Sequence, residues 1–224
     1  FIIYFMFYSY KIGLPVNKFI CASNINNVLT DFIKTGVYNN NRDFYKSISP
    51  SIDILISSNV ERLLYELYKH DESKVNELMN KLNDDGVYSL DSEAFNLFKE
   101  MFYGAYLNDE DILKTINKIY KENNHLIDTH TAVGYGAYDI YKLDTKDDTK
   151  TVILSTASPY KFPHDVLKAI SNLDIDDEYE AIDKLYEITK VEIPDNLKNL
   201  KDLDKRVNIV LKKEDVKEYI LENV

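Results

Sequence analysis

The chain has 224 residues, is 45% hydrophobic and carries a formal net charge of −11, so it can bury one large core, alone or with an appendage. Its acidity, with Arg42, Arg62 and Arg206 as its three arginines, argues against DNA or RNA partners, whose phosphates need basic stripes. The single cysteine, Cys21, excludes an internal disulfide and a cysteine-only metal site, which makes the cytoplasm the default compartment.

In chain order, residues 1–10 open as a bulky apolar run from Phe1 to Tyr8. It is too short to cross a bilayer and lacks the basic leader and small-residue cleavage site of a signal peptide. Lys18 to Ala22 reads as a short apolar strand that ends in Ser23, Asn24, Ile25, Asn26 and Asn27; Val28, Leu29, Phe32 and Ile33 then form a helical face. Cys21 within that strand reads as a buried hydrophobe. A helical insertion over about 60–102 follows, with apolar residues at helical spacing (Leu63, Leu64, Leu67; Val75, Leu78, Leu82; Phe95, Phe98) and Asp91 or Ser92 as a cap. Tyr103 to Tyr106 reads as a second strand, and Asn108 caps a helix with face Ile112, Ile116 and Ile119.

Leu126 and Ile127 lead into Asp128, Thr129, His130 and Thr131, then a helix of small residues able to lie close against a sheet. Val152 to Leu154 has the composition of a strand buried on both faces, ending at Ser155 and Thr156; Pro159 and Pro163 keep that strand and the next helix from absorbing the loop. Beyond Pro163 the chain is helical and highly charged, and Val207 to Leu211 reads as a final strand. Alternating strands and helices predict an α/β fold with a mostly parallel sheet flanked by helices, and ligands gather beyond the carboxyl ends of such strands. Three strand ends with Ser/Asn, Asp/Thr/His and Ser/Thr sets would then share one cleft.

Four ordered blocks carry a family resemblance: Cys21 to Phe32, Ser49 to Leu55 with Ser58 to Arg62, Asp128 to Gly134, and Ser155 to Phe162. From about Lys11 to Val224 the chain resembles the carboxy-terminal part of threonine synthase, a tryptophan-synthase-like, fold-type II pyridoxal-phosphate enzyme. The resemblance implies conversion of O-phospho-L-homoserine and water to L-threonine and phosphate, as a carbon–oxygen lyase of threonine biosynthesis. It places the Schiff-base lysine in an upstream domain outside these residues, so no catalytic residue is assigned. Residues 1–10 stand where the family has a glycine-rich phosphate loop and a small-residue helix, and they read as an altered or truncated remnant of that helix. Residues 11–170 correspond to part of the large cofactor domain, and 171–224 to a carboxy-terminal helical extension.

By the same resemblance Thr156, with Ser155 beside it, meets the pyridine nitrogen of the cofactor, and Asp128 lies near the ring. Asp128 equally suits a helix cap. His130 suits proton transfer or a structural hydrogen bond. Asn24, Asn26 and Asn27 suit an α-carboxylate, a phosphate or a cap. Arg62, Arg42 and Lys161 are the candidate cations for a substrate phosphate, with a surface ion pair as the competing reading of Arg62. His70, His125 and His164 have no partner at metal-ligand spacing, and no metal is expected. The 224 residues alone are expected to be inactive. The alternatives are a non-catalytic remnant that associates with an amino-terminal partner or with itself, and another pyridoxal-phosphate lyase such as a dehydratase.

Overall fold

A computed structural model describes residues 2–204 and 208–223, with side chains from Phe7 onward. It forms two units, residues 1–191 and 192–224. In the first, strands β1 (Phe19–Ser23) and β4 (Phe102–Tyr106) pair in parallel with Phe19 opposite Phe102 and Ser23 opposite Tyr106. Helices cover both faces of this pair: α2 (Val28–Thr35) on one and α7 (Thr129–Thr145) on the other. This is the α/β arrangement the sequence predicts, with a small parallel sheet.

Glycine lets the two helices approach. A β-carbon on Gly104 of β4 would meet the Thr30 Cα of α2 at 3.0 Å, and one on Gly136 of α7 would meet a Leu107 methyl at 2.3 Å. The small-residue character of α7 is therefore a packing requirement. Behind α7, the helix α6 (Asp109–Asn123) packs on it and on α8 (Pro163–Ser171), which in turn carries α9 (Glu178–Thr189). Asn108 caps α6 through its side chain, accepting from the Asp111 amide at 2.9 Å.

Between the parallel strands the chain builds α3 (Val60–Leu67), α4 (Glu72–Asp85) and α5 (Ser92–Met101), the last capped by Asp91 as expected. Two short strands escape the sequence reading: β2 (Val37–Asn39) and β3 (Val87–Ser89), antiparallel with Tyr38 opposite Tyr88. Their rings stack at 5.3 Å, and the Phe32 ring meets both edge-on at 5.3 and 5.6 Å. Cys21 is buried as predicted, and burial pushes its thiol up to about 12.

Three expected strands are corrected. Leu126 and Ile127 form no strand ahead of α7. Val152 to Leu154 forms none either, and with Val152 84% and Leu154 46% exposed it is not buried on both faces. Residues 208–211 form no strand, and Val207 lies outside the described residues. The opening run is helical over α1 (Ile2–Lys11). The second unit contains short 3₁₀ turns at Leu200–Asp202 and Lys213–Asp215 and the helix α10 (Val216–Asn223). No helix of the described residues is long and apolar enough to cross a membrane.

The Tyr88 hydroxyl is buried without a partner among the described residues, although Tyr38 satisfies its own by donating to Leu55 O at 2.9 Å. An unsatisfied buried hydroxyl costs about 1 kcal/mol or more. Tyr88→Phe should therefore raise the unfolding free energy by about 1 kcal/mol in urea denaturation, whereas Tyr38→Phe should lower it.

Candidate active site

Asn24 and Asn26 follow the end of β1 and are buried. The Asn24 amide Nδ2 donates to Asp53 Oδ1 at 2.6 Å and to Ser47 Oγ at 2.8 Å, while its Oδ1 accepts from the Asn26 backbone amide at 2.9 Å. Asn26 Nδ2 donates to Asp53 Oδ1 at 3.0 Å and to Tyr45 O at 2.8 Å, and its Oδ1 accepts from the Tyr45 amide at 2.9 Å. Asp53 also accepts from Ser47 Oγ at 2.6 Å and, on its second oxygen, from the Ser47 amide at 3.0 Å. One carboxylate thus gathers the loop 45–53 onto the end of β1. Asp53, Ser47 and Ser49 carry no role in the sequence reading, although clustered Ser and Asp around Pro50 are the chemistry of side-chain-stabilised turns.

A second chain of contacts joins this loop to the start of α7. The Ser51 amide donates to His130 Nε2 at 3.0 Å, so that nitrogen is unprotonated and the ring proton sits on Nδ1, 3.1 Å from Asp128 Oδ1. Asp128 caps α7, accepting from the His130 amide at 2.8 Å and the Thr131 amide at 3.4 Å. Its Oδ2 also accepts from the Thr131 hydroxyl, whose oxygen lies 3.1 Å from Ser155 Oγ. The single Thr131 hydroxyl proton thus faces two acceptors, the Asp128 carboxylate and Ser155 Oγ. Burial pushes the Asp128 carboxyl up, but the hydrogen bonds from His130 and Thr131 outweigh it and hold the group below the ordinary carboxylate range.

All three expected tips therefore meet in one hydrogen-bonded run, from Asn24 through loop 47–51 to His130, Asp128, Thr131 and Ser155. Thr156 follows Ser155 and is exposed. Phe162 packs its ring 4.7 Å from that of His130, and Lys161 beside it is exposed with Nζ 5.4 Å from the Phe162 ring. Asn27 lies outside the run: its Oδ1 accepts from Arg42 Nη1 at 3.0 Å, and Arg42 also pairs with Asp31 at 2.9 Å. Arg62 sits on α3 at a surface hollow shared with Glu61, Tyr65 and Glu72, none of them in the run. Away from the site, ligand atoms of His164, Asp174 and Asp176 fall within 4.8 Å of one another, but Lys168 Nζ neutralises Asp174 at 2.8 Å and the cluster reads as an ion-pair network.

Residues 131–220 match the family model described as threonine synthase, C-terminal. The chain is 36% identical over 172 residues to threonine synthase-like 1 of Homo sapiens, covering 76% of this chain and 23% of that protein. It is 32% identical over 220 residues to threonine synthase of Saccharomyces cerevisiae, covering 91% of this chain and 40% of that protein. In structure it resembles the pyridoxal-phosphate-bound threonine synthase of Brucella melitensis, with a TM-score of 0.81 at 26% identity, over 98% of this chain and 43% of that one. The chain belongs with the carboxy-terminal portion of threonine synthases. It spans less than half the length of each of these relatives.

In this threonine synthase portion, ¹⁵N NMR of the imidazole should show His130 as the Nδ1–H tautomer, and Ser51→Pro, which removes the donor to Nε2, should shift the balance toward Nε2–H. Asp128, with its folded pKa below its unfolded 3.8, contributes stability that is present above that value and lost as pH falls through the folded pKa. Wild type should therefore lose stability below about pH 4 more steeply than Asp128→Asn, measured as urea midpoint against pH.

Proposed function

We propose that this chain supplies the carboxy-terminal side of the active site of a pyridoxal-phosphate-dependent threonine synthase. That enzyme converts O-phospho-L-homoserine and water to L-threonine and phosphate in the cytoplasm. The observation that carries the reading is the contact chain from the buried Asp128 carboxylate through the Thr131 hydroxyl to Ser155 Oγ. The Ser155 hydroxyl can donate or accept toward whatever binds beyond it. Thr156 beside it is exposed and offers a neutral hydroxyl that can donate or accept.

These groups fit the nitrogen end of a pyridoxal ring. Both are neutral hydroxyls, and the one carboxylate behind them is fully buried with hydrogen bonds on both oxygens, so Asp128 acts through Thr131 and Ser155 and does not itself touch the ring. When bound there, the cofactor supplies the electron sink that stabilises a substrate carbanion. A hydroxyl enforces protonation of the ring nitrogen less strongly than a carboxylate would, which suits a reaction in which phosphate leaves the γ carbon and water adds at the β carbon. Asn24 and Asn26 spend their amides on Asp53, Ser47 and Tyr45, so their part is to hold the loop that borders the substrate. His130, bonded at both nitrogens, positions Ser51 and leaves proton transfer to other groups. Lys161 is the candidate cation for the substrate phosphate that lies beside this run.

The test is a fusion of the amino-terminal part of the yeast enzyme, which contributes the lysine that carries the cofactor, to these 224 residues. The fusion should release phosphate from O-phosphohomoserine, show a visible band of protein-bound cofactor, and leave serine and threonine unchanged, while the 224 residues alone should do none of this. Thr156→Ala in the fusion should lower kcat/KM about tenfold, the worth of one hydrogen bond of about 1.4 kcal/mol. Phosphate release by the isolated chain, or turnover of serine by the fusion, would overturn the reading.

A further inference from the structure

Asp53 stands at the end of the 3₁₀ turn Pro50–Ile52, and that turn carries the Ser51 amide. Proline has no amide proton, and the first amides of a helical turn have no partner within it. The Ser51 amide is therefore available to a neighbour, and it donates to His130 Nε2 at 3.0 Å. Its direction is set by the turn. The Ile52 amide closes the turn on Ser49 O at 3.1 Å, and the Asp53 amide closes it on Pro50 O at 3.1 Å. Both ends are tied to the end of β1 by one side chain, since Asn24 Nδ2 lies 3.1 Å from Ser49 Oγ and 2.6 Å from Asp53 Oδ1.

The Asp53 side chain is matched to this task by its charge as well as its shape. Asn24 Nδ2, Asn26 Nδ2 and Ser47 Oγ converge on its Oδ1, and the Ser47 amide donates to its Oδ2. A carboxylate can accept all of them. An asparagine of the same shape cannot, because one of its two terminal atoms carries protons. Turned one way, its NH₂ group meets the Ser47 amide; turned the other, it meets three donors at once. Either way a contact tying the turn to β1 is lost.

We infer that Asp53 is a positioning residue: it aims the Ser51 amide at His130, and through that ring it fixes Asp128, Thr131 and Ser155. This rests on the enzyme reading above and adds a residue that governs the hydroxyl end of the site from the far side of the loop. The route is Ser51 to His130 Nε2, His130 Nδ1 to Asp128 at 3.1 Å, and Asp128 through Thr131 to Ser155. Among the described residues the hydrogen bonds of the Asp53 side chain reach none of the last three.

Asp53→Asn in the 224-residue chain tests the first half of the route by NMR and hydrogen exchange. The Ser51 amide should exchange about tenfold faster, the worth of one hydrogen bond, and the His130 Nε2 resonance should move toward that of an imidazole nitrogen with no hydrogen bond. Ser47→Ala removes one donor and keeps the carboxylate, so it should move both readouts the same way by less. It decides the matter should Asp53→Asn not fold. In the fusion, Asp53→Asn should lower kcat about tenfold, but less than about twofold in a His130→Ala background, where the route is already cut. A residue that served stability alone would give losses that multiply. The role is overturned if neither variant moves Ser51 exchange and the Nε2 resonance, or if the two losses in kcat multiply. A parent fusion without turnover sinks the enzyme assignment, while the Ser51 and His130 readouts in the 224-residue chain still decide the positioning role. A fusion that turns over while those readouts stay unmoved sinks the positioning role and leaves the enzyme assignment standing.

Discussion

The Asp53 carboxylate is the constraint on which the site depends. Asn24, Asn26 and Ser47 all aim donors at it, and the two asparagines are buried at the end of β1. A buried amide left unpaired costs more than the bond gains when made, so these groups are stable only as a complete set. The set ties loop 45–53 to the sheet. Once the loop is held, the Ser51 amide is in place for His130, and through His130 and Asp128 the order extends to Thr131 and Ser155. Local turns are thereby converted into one rigid rim.

That rim is carried by a sheet thin enough to be braced from both sides. Gly104 admits the α2 backbone and Gly136 admits Leu107, so α2 and α7 lie close on opposite faces. Thr30 of α2 uses the proximity, donating to Ala105 O at 3.0 Å across the sheet and lying 3.1 Å from Ser23 Oγ. The cap of α7 is then fixed relative to β1 by packing as well as by hydrogen bonds. Small residues on α7 and hydroxyls at its start are two aspects of one demand, that a helix terminus be held against strand ends.

The direction of the hydrogen bonds gives the rim its chemistry. A buried anion at Asp128 orients a histidine on one oxygen and the Thr131 hydroxyl, with Ser155 beyond it, on the other. The charge of Asp128 is buried, and Thr131 and Ser155 stand between it and the outer end of the run.

The elements with strong local signals were legible from the residues alone. Amphipathic spacing marked α3 to α6, and Asp91, Asn108 and Asp128 each precede an apolar or small-residue helix as caps do. β1 and β4 showed as short apolar runs between polar turns. The three polar tips were legible too as residue types, although only the one after β1 stands at a strand end. Tertiary structure decided what those types do. Asp53 could not be singled out, because its partners lie up to 29 residues away in sequence, and nothing local separates a hub from a surface aspartate. Asn27 and Arg42 hydrogen-bond to each other, and only the path of the loop brings them together. β2 and β3 are three residues each and exist because Phe32 packs against Tyr38 and Tyr88. Val152 to Leu154 has a strand's composition, but whether such a run becomes a strand depends on a neighbour to bond its backbone. Composition sets the preference, and pairing is settled by what lies alongside.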